Sequence, residues 1–251
     1  MANLSAIQVI LFDLGDTLLY FDGDWNDVKI RSSKALWNSL KALGYQLEPD
    51  RFIYSFSTRM REYYQERENT LVEYTSARVL SEVLQLTGYA APPIEIVQAA
   101  LNSMYAISQQ HWKREEDALS TLEWLRQHGF RIGLISNASD RNDVHTLLQK
   151  SDLNQYLETI IISSEFGLRK PHPAIFLKAM NYFSAEPDQC LMVGDKLSMD
   201  VVGAKQLGMQ SAWISRRSSA SHAEKYAHIS PDIMLKTLEE LTQILPDSKN
   251  K

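Results

Sequence analysis

Five short apolar runs punctuate the chain: Ile7–Phe12, Arg131–Ile135, Thr159–Ile162, Cys190–Val193 and Ser211–Ile214. Each is rich in β-branched or large apolar side chains and lacks polar alternation, the pattern of a strand covered on both faces. Apolar positions at helical spacing separate the last four. "DALSTLEWLRQHG" ends in Gly129, "PAIFLKAMNYF" begins with Pro173 at a first helical position, and "SMDVVGAKQLGM" ends near Gly208. This alternation predicts right-handed crossovers and a parallel sheet with helices on both faces, an α/β fold.

The first run breaks the rhythm. After it, "DWNDVKIRSSKALWNSLKALG", "PDRFIYSFSTRMREYYQER", "YTSARVLSEVLQLTG" and "PIEIVQAALNSMYAISQQHW" all read as amphipathic helices with no convincing strand among them. Residues 21–115 are therefore expected to form an all-helical insertion, and residues 1–20 with 116–251 the α/β core. The terminal "PDSKNK" reads as a frayed tail.

Bulk composition narrows the class without naming it. At 251 residues, 44% hydrophobic and 23% charged, the chain is an ordinary globular protein with a sizeable core. A net charge of -5 and the lack of a long Lys/Arg block argue against nucleic acid or an anionic membrane as partner. The single cysteine, Cys190, precludes an intramolecular disulfide and reads as a small buried hydrophobe. No run approaches the length of a membrane span, and the N-terminus has no signal-peptide pattern; a cytoplasmic protein is the expectation. The sequence specifies no oligomeric state.

In an open parallel sheet, ligands sit outside the carboxyl ends of the strands. The first strand ends in Asp13 and the second in Ser136-Asn137. "GLRKP", with Lys170, follows the third, and the fourth ends in "GDKLSMD", with Asp195 and Asp200. These groups suit phosphoryl transfer. An aspartate can attack phosphorus, provided cations offset its repulsion from a dianion. Mg²⁺ held by Asp13 and Asp195 and the Lys170 ammonium would do so, while Ser136 and backbone amides donate to the remaining oxygens.

"DLGDT", "ISNAS", "GLRKPHPAIF" and "VGDKLSMD" occur in the order of the haloacid dehalogenase (HAD) superfamily, which the whole chain resembles. The resemblance extends to the helical insertion, which matches the helical cap of the family's phosphatase branch. It implies a Rossmann-like parallel core with a helical cap and a Mg²⁺-dependent phosphatase acting on a small phosphorylated metabolite. It makes Asp13 the nucleophile, Lys170 its orienting partner, and Ser136, Asn137 and Thr17 substrate-binding residues. The metal would fall to Asp13, the Gly15 carbonyl and Asp195, with Asp200 supporting the loop or the metal's waters.

One position departs from the pattern. The family's phosphatases carry Asp-x-Asp-x-Thr, whose second aspartate is the general acid and base. Thr17 is in register, so Gly15 occupies that slot and Asp16 a position usually held by a small residue. Substitution by Asp16, a cap carboxylate or water remains open. So do two other readings: a metal-independent 2-haloacid dehalogenase, which also lacks the second aspartate, and a non-catalytic binding protein of the same fold. Against the dehalogenase, Asp195 beside Asp13 without a cation would be two carboxylates in repulsion.

Overall fold

The structure is a computed structural model and describes residues 4–246, the side chain of His222 excepted. Residues 247–251, most of the expected frayed tail, lie outside the described residues. The strands are β1 (Val9–Phe12), β2 (Leu19–Phe21), β3 (Trp112–Arg114), β4 (Arg131–Ser136), β5 (Thr159–Ile162), β6 (Cys190–Gly194), β7 (Gln210–Ile214) and β8 (Ile233–Leu235). Four long helices, α1 (Trp25–Ala42), α2 (Pro49–Thr70), α3 (Ser76–Leu86) and α4 (Ile94–Ser108), lie between β2 and β3. The rest are α5 (Ala118–Gln127), α6 (Arg141–Lys150), α7 (Ser163–Phe166), α8 (Pro173–Phe183), α9 (Val202–Gln206), α10 (Ala220–Lys225) and α11 (Glu240–Ile244).

Six strands form one parallel sheet in the order β5-β4-β1-β6-β7-β8. All four β1 residues are buried, and the pleat divides them between two cores. Ile10 and Phe12 pack with Leu122, Leu125 and Leu148 of α5 and α6, whereas Val9 and Leu11 pack with Phe176, Ala179 and Ala204 of α8 and α9. This two-sided burial is why the runs carry no polar alternation. The chain leaves β1 first to one side and later to the other, so β1 sits at the switch point with its carboxyl end facing the crevice.

The insertion has its own core, built on Leu36, Phe52, Tyr63, Val83 and Leu101. It is tethered by β2 and β3, which pair antiparallel and lay the outgoing and returning chains side by side. Local chemistry starts these helices where the pattern predicts. Asp24, Glu48 and Thr75 accept hydrogen bonds from the first-turn amides of α1, α2 and α3, and Pro49 opens α2. Likewise, His172 Nδ1 accepts from Ala174 N at the start of α8, giving that histidine a capping role. Cys190 is fully buried, and burial pushes its thiol up to about 12.

Three strands fall outside the five apolar runs, and one of them, β3, lies inside the stretch expected to be all helical. β2, β3 and β8 are three residues each, and β8, at the sheet edge, leaves Met234 65% exposed. The predicted helix over "SMDVVGAKQLGM" divides into a π-helical turn, Leu197–Val201, and then α9.

Candidate active site

A cavity of about 400 Å³ opens at the carboxyl ends of β1, β4 and β6. Asp13, Gly15, Ser136, Asn137, Lys170, Asp195 and Asp200 all line it. The structure thus gathers these predicted residues from segments far apart in the chain. Thr17 is the exception: it is fully buried beneath the cavity, and its hydroxyl points to Asp13 Oδ2 at 3.5 Å, so it positions Asp13.

Lys170 is 1% exposed and directs its ammonium to three oxygens: Asp13 Oδ1 at 2.6 Å, the Ile135 carbonyl at 2.7 Å and Asp200 Oδ1 at 2.7 Å. Burial works against its charge, but Asp13 and Asp200 hold its pKa above the ordinary lysine value. Asn137 fixes the lysine's backbone: its Nδ2 donates to Lys170 O (3.0 Å) and its Oδ1 accepts from Lys170 N (2.8 Å). Asn137, expected to bind substrate, thus both lines the cavity and orients Lys170.

Asp200 lies behind Lys170, 1% exposed, with Oδ2 accepting from Lys196 N at 3.0 Å. Gly194 makes this approach possible, since a Cβ there would lie 2.2 Å from Asp200 Oδ2. Burial pushes Asp200 up to about 6 despite Lys170. Asp195 is pushed up to about 8 by burial and by Asp13 and Asp200, against the pull of Lys196. Carboxylate oxygens of Asp13, Asp195 and Asp200 lie within 4.8 Å of one another. An all-oxygen donor set at that spacing suits a hard divalent cation, whose charge answers the repulsion of three clustered carboxylates.

Gly15 lines the cavity directly. A Cβ on it would meet Trp112 Cη2 at 3.4 Å, an ordinary contact. Asp16, not Gly15, takes the left-handed backbone of this turn (φ 56°), a conformation aspartate tolerates better than most residues. Its carboxylate reaches the cavity rim, where burial raises its pKa while Lys196, 3.6 Å away, opposes the rise. Lys196 also pairs with Asp195. Sequence reasoning passed over this lysine; a charged residue directly after Asp195 in a strand-end loop was the available signal.

A second omission lies in the insertion. The Glu73 side chain is fully buried and accepts from Tyr63 Oη, Arg67 Nη1 (3.1 Å) and Ser163 Oγ (2.9 Å), with Arg169 Nε 3.5 Å away. The backbone joins here too: Glu73 N donates to Gly167 O and Arg169 N to Leu71 O, both at 3.0 Å. Ser163 Oγ in turn accepts from Ala138 N, next to Asn137. A carboxylate of the insertion is thereby built into the two loops that deliver Ser136 and Lys170. Glu68, a turn before, pairs with Arg169 at 2.9 Å and closes one side of the cavity.

Comparison with known proteins identifies the family. The family model for haloacid dehalogenase-like hydrolases matches residues 7–208, and the chain belongs to that family. It is 32% identical over 128 residues to a glyceraldehyde 3-phosphate phosphatase of Pyrococcus furiosus, a match covering 51% of this chain and 52% of that protein. The matched region thus spans about half the length of that relative. The like-named protein of Methanopyrus kandleri is 26% identical over 242 residues, 95% of this chain and 97% of that one. Among solved structures, a 2-haloacid dehalogenase from Pseudomonas syringae pv. Tomato DC3000 superposes with a TM-score of 0.66 at 25% identity, covering 95% of this chain and 98% of that one. Among the described residues, no helix is long and apolar enough to cross a membrane.

Proposed function

We propose that this chain is a Mg²⁺-dependent phosphatase that hydrolyses a small phosphorylated metabolite through an aspartyl-phosphate on Asp13. Residues 21–115 act as its cap domain. The observation that carries the reading is the pairing of a strand-end carboxylate with a buried ammonium inside an acidic cluster. Lys170 holds Asp13 Oδ1 at 2.6 Å, whereas Oδ2 has only the long 3.5 Å contact from the Thr17 hydroxyl and is the attacking oxygen. Mg²⁺ held by Asp13, Asp195 and the Gly15 carbonyl would supply positive charge against the phosphoryl oxygens.

Asp13 Oδ2 attacks phosphorus, and the bond to the leaving oxygen breaks. Ser136, lining the cavity, donates to a phosphoryl oxygen, and Lys170 balances charge as it passes from substrate to Asp13. Water then attacks the aspartyl-phosphate, releasing inorganic phosphate and restoring Asp13. With glycine at 15, neither the leaving oxygen nor that water has a carboxylate from this position to exchange a proton with. Leaving groups stable as anions are therefore favoured. The phosphatase names of the two relatives support the reading. The acidic cluster weighs against metal-free displacement of halide, because Asp195 and Asp200 would add repulsion there with no charge to stabilise.

Acid quenching during turnover of ³²P-labelled substrate tests the intermediate. Wild type is expected to carry a hydroxylamine-labile phosphoryl group, and Asp13→Asn to carry none and turn over no substrate. An Asp13→Asn protein that melts as wild type does and still hydrolyses phosphate esters would overturn the mechanism.

A further inference from the structure

A second cavity, about 490 Å³, lies within the insertion between α1, α2 and α4. Trp25, Phe56 and Tyr64 supply aromatic walls, and Lys29 of α1 and Arg61 of α2 line it as well. Its size is that of a small-molecule site. The arginines of α2 are not equivalent. Arg59 is committed to Glu82 (2.9 Å) and Glu66 (3.0 Å), and Arg67 to Glu73 (3.1 Å). Arg61 and Lys29, which border the cavity, form no ion pair or hydrogen bond among the described residues. Ser32 also lines it; this residue is only 8% exposed, and its buried Oγ has no hydrogen-bond partner among the described residues. A buried hydroxyl without a partner is costly, and a ligand's polar atom would satisfy it.

The two cavities share no lining residue, but neighbouring residues link them on two sides. On α2, Glu68 lines the catalytic cavity and Tyr64, four residues earlier, lines this one. One helical turn, about 5–6 Å, separates them, and Arg61 follows at roughly 10 Å from Glu68. On the other side, Trp112 lies against Gly15, and Trp25 meets it edge-on with ring centroids 6.0 Å apart. A molecule with its phosphoryl group at Asp13 and an elongated body would run past Trp112 into this space.

Taking the chain as a phosphatase, we propose that this cavity receives the non-reacting part of the substrate. That part is an aromatic or apolar body ending in a second anionic group, which Arg61 and Lys29 read. The substrate class is an aryl-like phosphomonoester with a distal carboxylate or phosphate. The aromatic walls take the body, the two cations take the charge, and Ser32 offers a hydrogen bond between them.

The test compares 2-naphthyl phosphate with 6-carboxy-2-naphthyl phosphate, which share one ring system and differ in the distal charge. Wild type is expected to favour the carboxylated probe in kcat/KM. The Lys29→Gln/Arg61→Gln double variant is expected to lower that preference by at least about tenfold, chiefly through KM. p-Nitrophenyl phosphate, small enough to need only the catalytic cavity, separates the two levels of failure. Hydrolysis of p-nitrophenyl phosphate with neither naphthyl probe accepted overturns the subsite. So does a preference that moves less than about twofold in the double variant. No hydrolysis of any of the three removes the phosphatase reading and this subsite with it.

Discussion

Replacing Gly15 with aspartate puts a carboxylate where a leaving-group oxygen would need a proton. The backbone admits the change, because the left-handed residue of the turn is Asp16. A Cβ at 15 touches Trp112 at 3.4 and 3.8 Å, so the new carboxylate must turn from the indole toward the cavity that Gly15 already lines. General acid–base catalysis contributes about 10²–10⁴-fold, or roughly 3–5 kcal/mol. Crowding by Asp13, Asp16 and Asp195 raises the pKa of the newcomer; this keeps it protonated as an acid and weakens it as a base. The low end is therefore expected: about 10²-fold in kcat/KM for an alkyl phosphate such as β-glycerophosphate. p-Nitrophenyl phosphate, whose phenolate departs unprotonated, should change by less than about tenfold. The assay is phosphate release from both substrates by wild type, Gly15→Asp and Asp16→Ala. An unchanged alkyl rate in Gly15→Asp, with activity lost in Asp16→Ala, would refute the reasoning and make Asp16 the working acid.

Two further outcomes test the scaffold. Glu73→Ala leaves the Arg67 and Arg169 guanidinium groups facing each other without their shared buried carboxylate. Urea unfolding should show a loss of about 3–5 kcal/mol, and a loss below about 1 kcal/mol, as for an exposed pair, would deny Glu73 its place in these loops. Asp143 is pushed up to about 7 by burial and by Asp140, against the hydrogen bond from Gln109 Nε2 at 2.9 Å and the pull of Lys150. The folded state therefore holds a proton that the unfolded state has released above about pH 4. Stability contributed by this proton is present below that pH and is lost as pH rises to about 7. Melting of Asp143→Asn across this window should lack that decline, and parallel curves for variant and wild type would contradict the assignment.

Legibility in the sequence followed burial and reach. The five core strands could be read because both faces are covered, which leaves a run of apolar residues. β8 and the β2–β3 ribbon could not, since three residues with partly exposed side chains present no periodic signal. Asp13, Ser136, Lys170 and Asp195 were legible because strand ends in a parallel sheet converge wherever the loops lead. The contacts of Thr17 with Asp13 and of Asn137 with Lys170 were not, because side-chain contacts depend on distances of an ångström or two. Glu73 was further out of reach: its partner Ser163 is 90 residues away in the chain. Arg59, Arg61 and Arg67 look alike in sequence; only their partners in space distinguish them.

The central claim is that Asp13, Lys170 and Asp195 form a metal-dependent phosphoryl-transfer site that works without a carboxylate at position 15. The most direct measurement is the initial rate of p-nitrophenyl phosphate hydrolysis with Mg²⁺ and with excess chelator. The phenolate leaving group does not call on the missing acid. A rate present with Mg²⁺ and abolished by chelator is the predicted result. Equal rates under both conditions, or none under either, would contradict the claim.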